Sequence, residues 1–293
     1  MKAVRSCLNQ TFRNFEVIIT DNSLDDRSEK LVGLLNEPLI SYHRNDTDIG
    51  FFLNTEKARL LSKGKYIKFL MDDDLLRADC LEKMSVVFEQ NPNVGIVMAP
   101  MAIIDENDKP AHPVFYLVKK MNFLYRYGNR TGLIGRSRIM RDFLTRLYPC
   151  CVPSGVMYRR ELFDRTGGFD VSAGFAIDVE IAMRFAREYD FYYIHEPLAS
   201  WRYNSSSATV TLHNSGLDNR IFFALTEKFL QDNLTKSLFP EKEWKRIVKA
   251  AYLFASKRST LAILSGIRMG NWQMIRETTG IVWVSDPFKT HIL

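Results

Sequence analysis

Cysteine is scarce in this chain: there are four among 293 residues, Cys7, Cys80, Cys150 and Cys151. None forms a C-x-x-C pair, which argues against a zinc knuckle or a redox motif. Cys150 and Cys151 are adjacent, and adjacent cysteines rarely bridge, so reduced thiols in a cytoplasmic protein are the expectation. The five histidines show no H-E-x-x-H spacing. No stretch of about eighteen apolar residues is present, so nothing in the sequence is built to span a bilayer. The longest apolar run, residues 94–104, contains Pro100 and reads as a buried strand with its exit. The segment from Met1 to Phe12 lacks the apolar core of a signal peptide. A glycine-rich phosphate loop, internal repeats and low-complexity tracts are also missing.

What remains is an ordinary globular composition, 46% hydrophobic and 25% charged, with a formal net charge of +6. The length suits one large domain with an appendage, or two small domains. The positive excess is uneven. From Leu217 onward there are twelve Lys/Arg against seven Asp/Glu. A basic helical surface of this kind fits solvent, an anionic membrane face or a phosphorylated lipid. No basic-aromatic motif of the nucleic-acid modules accompanies it, so nucleic acid is not an expected partner.

Residues 1–100 alternate strand and helix signals. Phe15 to Ile19 is a short β-branched run ending at the turn cluster Asp21-Asn22-Ser23. A helix through Leu35 follows, closed near Asn36-Glu37-Pro38, and Leu39 to His43 is the next strand. Leu53, Leu60 and Leu61 fall on one helical face that ends by Gly64. Leu81, Met84 and Phe88 mark another such face, and Val94 to Met98 reads as a strand. This alternation predicts an α/β fold, a mostly parallel sheet flanked by helices. Ligands of such sheets bind beyond the carboxyl ends of the strands. Ser154 to Leu162 resumes a strand-then-helix pattern, and Ile194 to Tyr203 gives a last strand. Residues 206–214 are polar, so the boundary is placed near 210: a domain over 1–210 and a helical C-terminal extension over 211–293. In that extension Ile221, Leu225 and Phe229 repeat at four-residue steps. Pro240 followed by Glu241 and Glu243 suits a helix start.

The chemistry concentrates at Asp72-Asp73-Asp74, directly behind the strand-like run Tyr66 to Met71. Three adjacent carboxylates repel one another, and a hard divalent cation such as Mg²⁺ or Mn²⁺ is the natural partner. A parallel sheet would put Asp21 on the same rim. An exposed acidic turn without a ligand is the competing explanation.

Three segments resemble the family 2 glycosyltransferases of the GT-A fold. They are Gln10 to Ser23, Gly64 to Leu76, and Gly167-Gly168-Phe169-Asp170 with Asp178 beyond it. The resemblance spans roughly residues 3–205. It implies an inverting, metal-dependent transfer of sugar from a nucleoside-diphosphate sugar, a UDP-sugar foremost. The acceptor would be a glycan or lipid-linked molecule of surface-polysaccharide synthesis. Asp21 is similar to the aspartate that accepts a hydrogen bond from the nucleotide base. Asp72 to Asp74 look like the family's D-x-D element, with Asp73 and Asp74 on the metal and Asp72 on the ribose or the metal shell. Met71 stands where relatives often carry a further aspartate. Asp178 aligns with the catalytic base, and Glu180 is its rival. Arg202 resembles a basic position near the diphosphate. Relatives also begin with a strand and loop that would precede Met1. The expectation is a truncated reading whose absent strand would lie beside those ending at Asp21 and Asp72. An inactive nucleotide-sugar binder and a nucleotidyltransferase are the alternative functions.

Overall fold

The structure is a computed structural model that describes residues 1–111, 130–146, 152–203 and 217–284. Cys150, Cys151, most of the excursion between Pro110 and Gly135, and the polar stretch at 206–214 lie outside the described residues. The residues cluster into two compact units. The first comprises Met1–Ile134, Cys150–Ser172 and Tyr189–Tyr203; the second comprises Gly135–Pro149, Ala173–Glu188 and Asn204–Leu293. The units therefore interleave along the chain, where the sequence alone offered a single cut near 210.

The first unit carries helices α1 (Lys2–Leu8), α2 (Arg27–Gly33), α3 (Phe51–Leu61) and α4 (Cys80–Gln90). Its strands are β1 (Val17–Asp21), β2 (Ile40–Arg44), β3 (Tyr66–Lys68), β4 (Leu75–Leu76), β5 (Val94–Met98), β6 (Met101–Ile104), β7 (Gly132–Ile134), β8 (Val156–Arg159), β9 (Asp190–Tyr193) and β10 (Ala199–Arg202). The α/β class with sheets flanked by helices holds, and the strands fall into three sheets of mixed sense. β1 and β2 pair in parallel, and a three-stranded sheet runs β4-β10-β6. A five-stranded sheet runs β3-β8-β5-β9-β7, in which β5 and β9 are parallel and the other pairs antiparallel. Among the described residues, β1 pairs only with β2 and β3 only with β8, so each keeps one open edge.

Burial explains why these segments hold. β5 is apolar throughout and buried on both faces, as a central strand must be. On α4, Cys80, Leu81, Met84, Val87 and Phe88 form one stripe at helical spacing and pack against Val94, Val97, Leu198 and Ala199. Arg159, at the end of β8, stays inside because its guanidinium donates to the carbonyls of Phe88, Asn91 and Val94 and lies over the Phe88 ring. The leucine stripe expected on α3 turns out differently. The helix is present, but Leu53 and Leu60 are exposed, and its buried residue is Arg59, ion-paired to Glu56 at 2.7 Å.

Glu56 also accepts the Phe169 N–H at 3.1 Å, which pins α3 to the Gly167-Gly168-Phe169 turn after α6 (Arg160–Thr166). That turn needs its glycines. Gly167 has φ of 88°, and a Cβ on Gly168 would lie 2.0 Å from Glu56 Oε1.

The second unit is helical: α5 (Arg136–Arg146), α7 (Ile177–Phe185), α8 (Leu217–Leu230), α9 (Asn233–Ser237), α10 (Glu241–Met269) and α11 (Trp272–Val284). Pro240 caps α10, as its sequence predicts, and Gly270 ends it in the left-handed conformation. No helix among the described residues is long and apolar enough to cross a membrane.

Gly168→Ala should displace the Glu56 carboxylate and cost about 1–3 kcal/mol. A lowered urea midpoint at unchanged m would register this; an unchanged midpoint would refute the close approach.

Candidate functional site: an acidic turn between two sheets

The chain leaves the five-stranded sheet at Lys68 and enters the three-stranded sheet at Leu75. Asp72, Asp73 and Asp74 occupy the passage between them, and the turn is held from several directions. The short helical turn Pro153–Gly155 supplies Ser154, whose hydroxyl accepts the Met71 N–H at 3.1 Å and whose carbonyl accepts Lys68 Nζ at 2.5 Å. Lys68 points its ammonium inward. Desolvation lowers its pKa, against the opposing pull of Cys80, Asp74 and Cys7. Gln10, fully buried, donates to the carbonyls of Ser6 and Arg77 and accepts the Leu81 N–H, so it ties the end of α1 to the start of α4.

The three aspartates do not share one environment. Asp72 and Asp73 are exposed, whereas Asp74 is 1% exposed. One Asp74 oxygen accepts the Arg202 backbone N–H at 3.0 Å. Burial pushes its carboxyl up to about 6, partly offset by hydrogen bonding to Ser154 and to the Arg202 backbone. Desolvation, and then the charge of Asp72, raise the pKa of Asp73 as well. The Asp74 carboxylate, expected beside Asp73 as a cation ligand, is turned into the protein, where one oxygen braces the turn and the other is buried without a hydrogen-bond partner.

Arg202, expected near the diphosphate, is engaged within the protein. Its Nε donates to the Asp73 carbonyl at 2.9 Å, Nη1 to the Asp105 carbonyl, and Nη2 to Asp108 at 2.5 Å. The guanidinium is consumed in fastening the acidic turn to the 105–108 turn, so it is not a free phosphate fork. The strand expected from Ile194 to Tyr203 is shorter, β10 over Ala199–Arg202, and β9 before it (Asp190–Tyr193) lies in a different sheet. That division brings Arg202 against Asp73 and Asp74.

Asp21 ends β1. Its carboxylate accepts the Ser23 N–H at 2.8 Å, the Ser23 hydroxyl at 2.6 Å and the Tyr42 hydroxyl. Burial works to raise its pKa, but these hydrogen bonds prevail and hold it below the usual carboxylate range. The Tyr42 phenol is pushed up, first by burial and then by Asp21. Around this strand end, Asn45 donates to Asn22 and Asn54, Lys57 donates to Asn45, and Asn54 donates to the Thr20 carbonyl at 3.0 Å.

Asp178 belongs to the second unit, in the first turn of α7, where its Oδ1 accepts the Val179 N–H at 2.8 Å. Burial pushes its carboxyl up to about 7, against the hydrogen bonds from its own helix turn. The residue as a whole is half-buried. Glu180, the rival acid, is 2% exposed and ion-paired to Arg184 at 2.7 Å and Lys228 at 3.1 Å. Its carboxylate thereby links α7 to α8.

Lys68, Ser154 and Gln10 were missed as parts of this site. A lysine inside an otherwise apolar strand was the one available signal; the partners of Ser154 and Gln10 are remote in sequence. No group of three or more His, Cys, Asp or Glu side chains among the described residues forms a cation cage. Two exposed neighbouring carboxylates match another mode, in which one or two carboxylates, substrate phosphates and water share the cation.

The sequence pattern of glycosyl transferase family 2 matches residues 2–167, more than half of the chain, and the chain belongs to that family. Among curated relatives, it is 23% identical over 221 residues to an uncharacterised protein of Mycobacterium tuberculosis, an alignment covering 71% of this chain and 64% of that one. It is 26% identical over 149 residues to an uncharacterised glycosyltransferase of Methanocaldococcus jannaschii, covering 48% and 51%. The chain thus spans about half to two thirds of those relatives' lengths. A 76-residue stretch is 34% identical to a putative colanic acid biosynthesis glycosyl transferase of Escherichia coli, covering 25% of this chain and 27% of that one. The fold is similar to that of S. aureus TarS in a structure of its residues 1–349 in complex with UDP. That match has a TM-score of 0.54 at 14% identity and covers 96% of this chain and 86% of that one. The fold is GT-A-like.

Arg202→Lys keeps the charge but loses the fork, and should cost about 2 kcal/mol of stability in chemical denaturation. A phosphate-binding arginine would behave oppositely, with stability unchanged and phosphate affinity reduced.

Proposed function

We propose that this chain is an inverting, cation-dependent glycosyltransferase. It would take a sugar from a nucleoside-diphosphate sugar, a UDP-sugar foremost, and pass it to a glycan or lipid-linked acceptor in surface-polysaccharide synthesis. The observation that carries this reading is the braced turn that holds Asp72 and Asp73 outward while Asp74 and Arg202 secure it from behind. Family membership supports it, as do the UDP complex of S. aureus TarS and the colanic acid role in the name of the E. coli relative.

Asp73, with Asp72 beside it or on the ribose, would hold the Mg²⁺ or Mn²⁺. When bound, that cation neutralises the departing diphosphate. Asp21 reads an N–H edge of the nucleotide base, because an ionised carboxylate only accepts hydrogen bonds. Asp178 takes the proton of the acceptor hydroxyl as that oxygen bonds to the anomeric carbon, and the bond from this carbon to the diphosphate oxygen breaks on the opposite face.

The raised carboxyl of Asp178 sets the pH dependence. A base works deprotonated, so kcat/KM should rise with pH and level off above about 7. The effect on stability has the opposite sign. The folded chain keeps a proton that the unfolded chain releases near 3.8, so the contribution of Asp178 is full below that pH and is lost as pH rises through about 7. Asp178→Asn should cut transfer at least a hundredfold, remove the limb near 7 and leave UDP binding near normal. Asp73→Ala should abolish cation-dependent turnover. Undiminished transfer by Asp178→Asn would reject the base assignment, and full turnover by Asp73→Ala would reject the cation site.

The second unit supports work at the inner face of a membrane. Leu261, Leu264, Ile267, Met269 and Trp272 are exposed at the junction of α10 and α11, among the exposed cations Lys257, Arg268 and Arg276. Apolar side chains bordered by cations suit an anionic bilayer surface. The chain should float with phosphatidylglycerol vesicles, and Leu264→Glu/Trp272→Glu should stay at the bottom of the gradient; equal flotation of both would dismiss this contact.

A further inference from the structure

Helix α5 packs against the first turns of α10 within the second unit, and a groove of about 620 Å³ opens at their junction. Its volume lies in the range of small-molecule sites. Its lining is chemically one-sided. Arg141, Arg146, Lys242 and Arg246 face a single carboxylate, Glu243. Arg141 is ion-paired to that carboxylate, and its guanidinium lies 5.9 Å from the centroid of the Phe239 ring. Phe239 in turn stacks on Trp244, so Arg141 and Glu243 are fixed in place.

The other three cations are in a different condition. Among the described residues, Arg146, Lys242 and Arg246 have no hydrogen-bond or ion-pair partner. Other cations of the same unit meet carboxylates, Arg220 with Glu277, Lys228 with Glu180, Arg187 with Asp232, and Lys236 and Lys245 with Glu241, whereas Lys249, Lys257, Arg268 and Arg276 are also without partners among the described residues. What sets Arg146, Lys242 and Arg246 apart is that they line one concavity. Like charges gathered around one concavity raise its potential, and low-dielectric walls focus the field there. The wall contributed by α10 includes the half-buried Ala250 beside the buried Ile247, so a small apolar surface lies among the cations.

We propose that this groove is a binding site for a phosphate-bearing ligand, a phosphate monoester or diester whose organic part rests on Ala250. The chemistry favours phosphate over a single carboxylate. Two guanidinium groups and an ammonium suit an oxyanion with several acceptor oxygens, and arginine engages phosphate through two parallel N–H donors. The site belongs to the second unit, whereas the acidic turn belongs to the first, and it stands whether or not the glycosyltransferase reading does.

The test uses the full chain and three probes: inorganic phosphate, glycerol 3-phosphate, and vesicles of phosphatidylglycerol in phosphatidylcholine, the vesicle arm being run in a Leu264→Glu/Trp272→Glu background that removes the bilayer contact at the α10–α11 junction. Binding would be measured by calorimetry for the soluble probes and by co-sedimentation for the vesicles. The wild-type chain should bind at least one phosphate probe and lose it with rising salt. Arg146→Glu/Arg246→Glu should weaken that binding at least tenfold. Lys245→Glu, outside the groove, should change it less than twofold. If charge reversal prevents folding, Arg146→Gln/Arg246→Gln replaces it and should weaken binding about fivefold. Preference for glycerol 3-phosphate would mark a soluble ester as the source, and preference for vesicles a lipid headgroup; both support the site. No binding of any probe by the wild type, binding that survives in the groove variants, or equal loss in Lys245→Glu would overturn it.

Discussion

The arrangement depends on the clamp that Arg202 and Asp74 form across 128 residues of sequence. The acidic turn is the passage between two sheets, so its ends are set by two independent hydrogen-bond ladders. Between those ends, three consecutive carboxylates would repel one another and loosen the backbone. Turning Asp74 inward removes one of them from the contest. The Asp73 carbonyl is then held by the Arg202 guanidinium, and the Met71 N–H by Ser154. What is left outward is a pair of carboxylates on a backbone with little freedom to retreat. A cation site gains from a rigid acidic platform of this type, because a mobile one would lose affinity to ordering entropy.

The second unit handles buried charge differently. Glu180 lies inside but meets both Arg184 and Lys228, which joins α7 to α8. Asp178, two positions away on the same helix, has no such compensation, and desolvation alone dominates its titration. Two acids in one helical turn thus have different surroundings: one is bound by two cations as a structural link, and burial raises the carboxyl of the other.

Much of this was legible in the sequence because it is local. The apolar run of β5, the one-faced stripe of α4, the Pro240 start of α10 and the acids behind a strand each depend on neighbours within a few positions. The rest depended on contacts that no local pattern encodes. Asp72, Asp73 and Asp74 are identical in type, and only the arrival of β10 makes the third unlike the others. Arg202 looked like a phosphate ligand because its residue type suits phosphate, while the carbonyls it serves come from Asp73 and Asp105. The leucines of α3 follow a helical period, yet Leu53 and Leu60 remain exposed, because periodicity says which residues share a face but not whether that face is covered. The strand expected over 194–203 shrinks to Ala199–Arg202 for a related reason, because the residues that extend a strand are set by its partners.

The interleaving of the two units has a further consequence. The chain passes from one to the other at residues 134/135, 149/150, 172/173, 188/189 and 203/204. No single scission could release either unit as a continuous polypeptide, and no simple gene truncation could express one alone. The helical unit must therefore acquire its α5 and α7 from segments threaded between strands of the other. The two bodies, however distinct in composition, are bound to mature as one product of one chain.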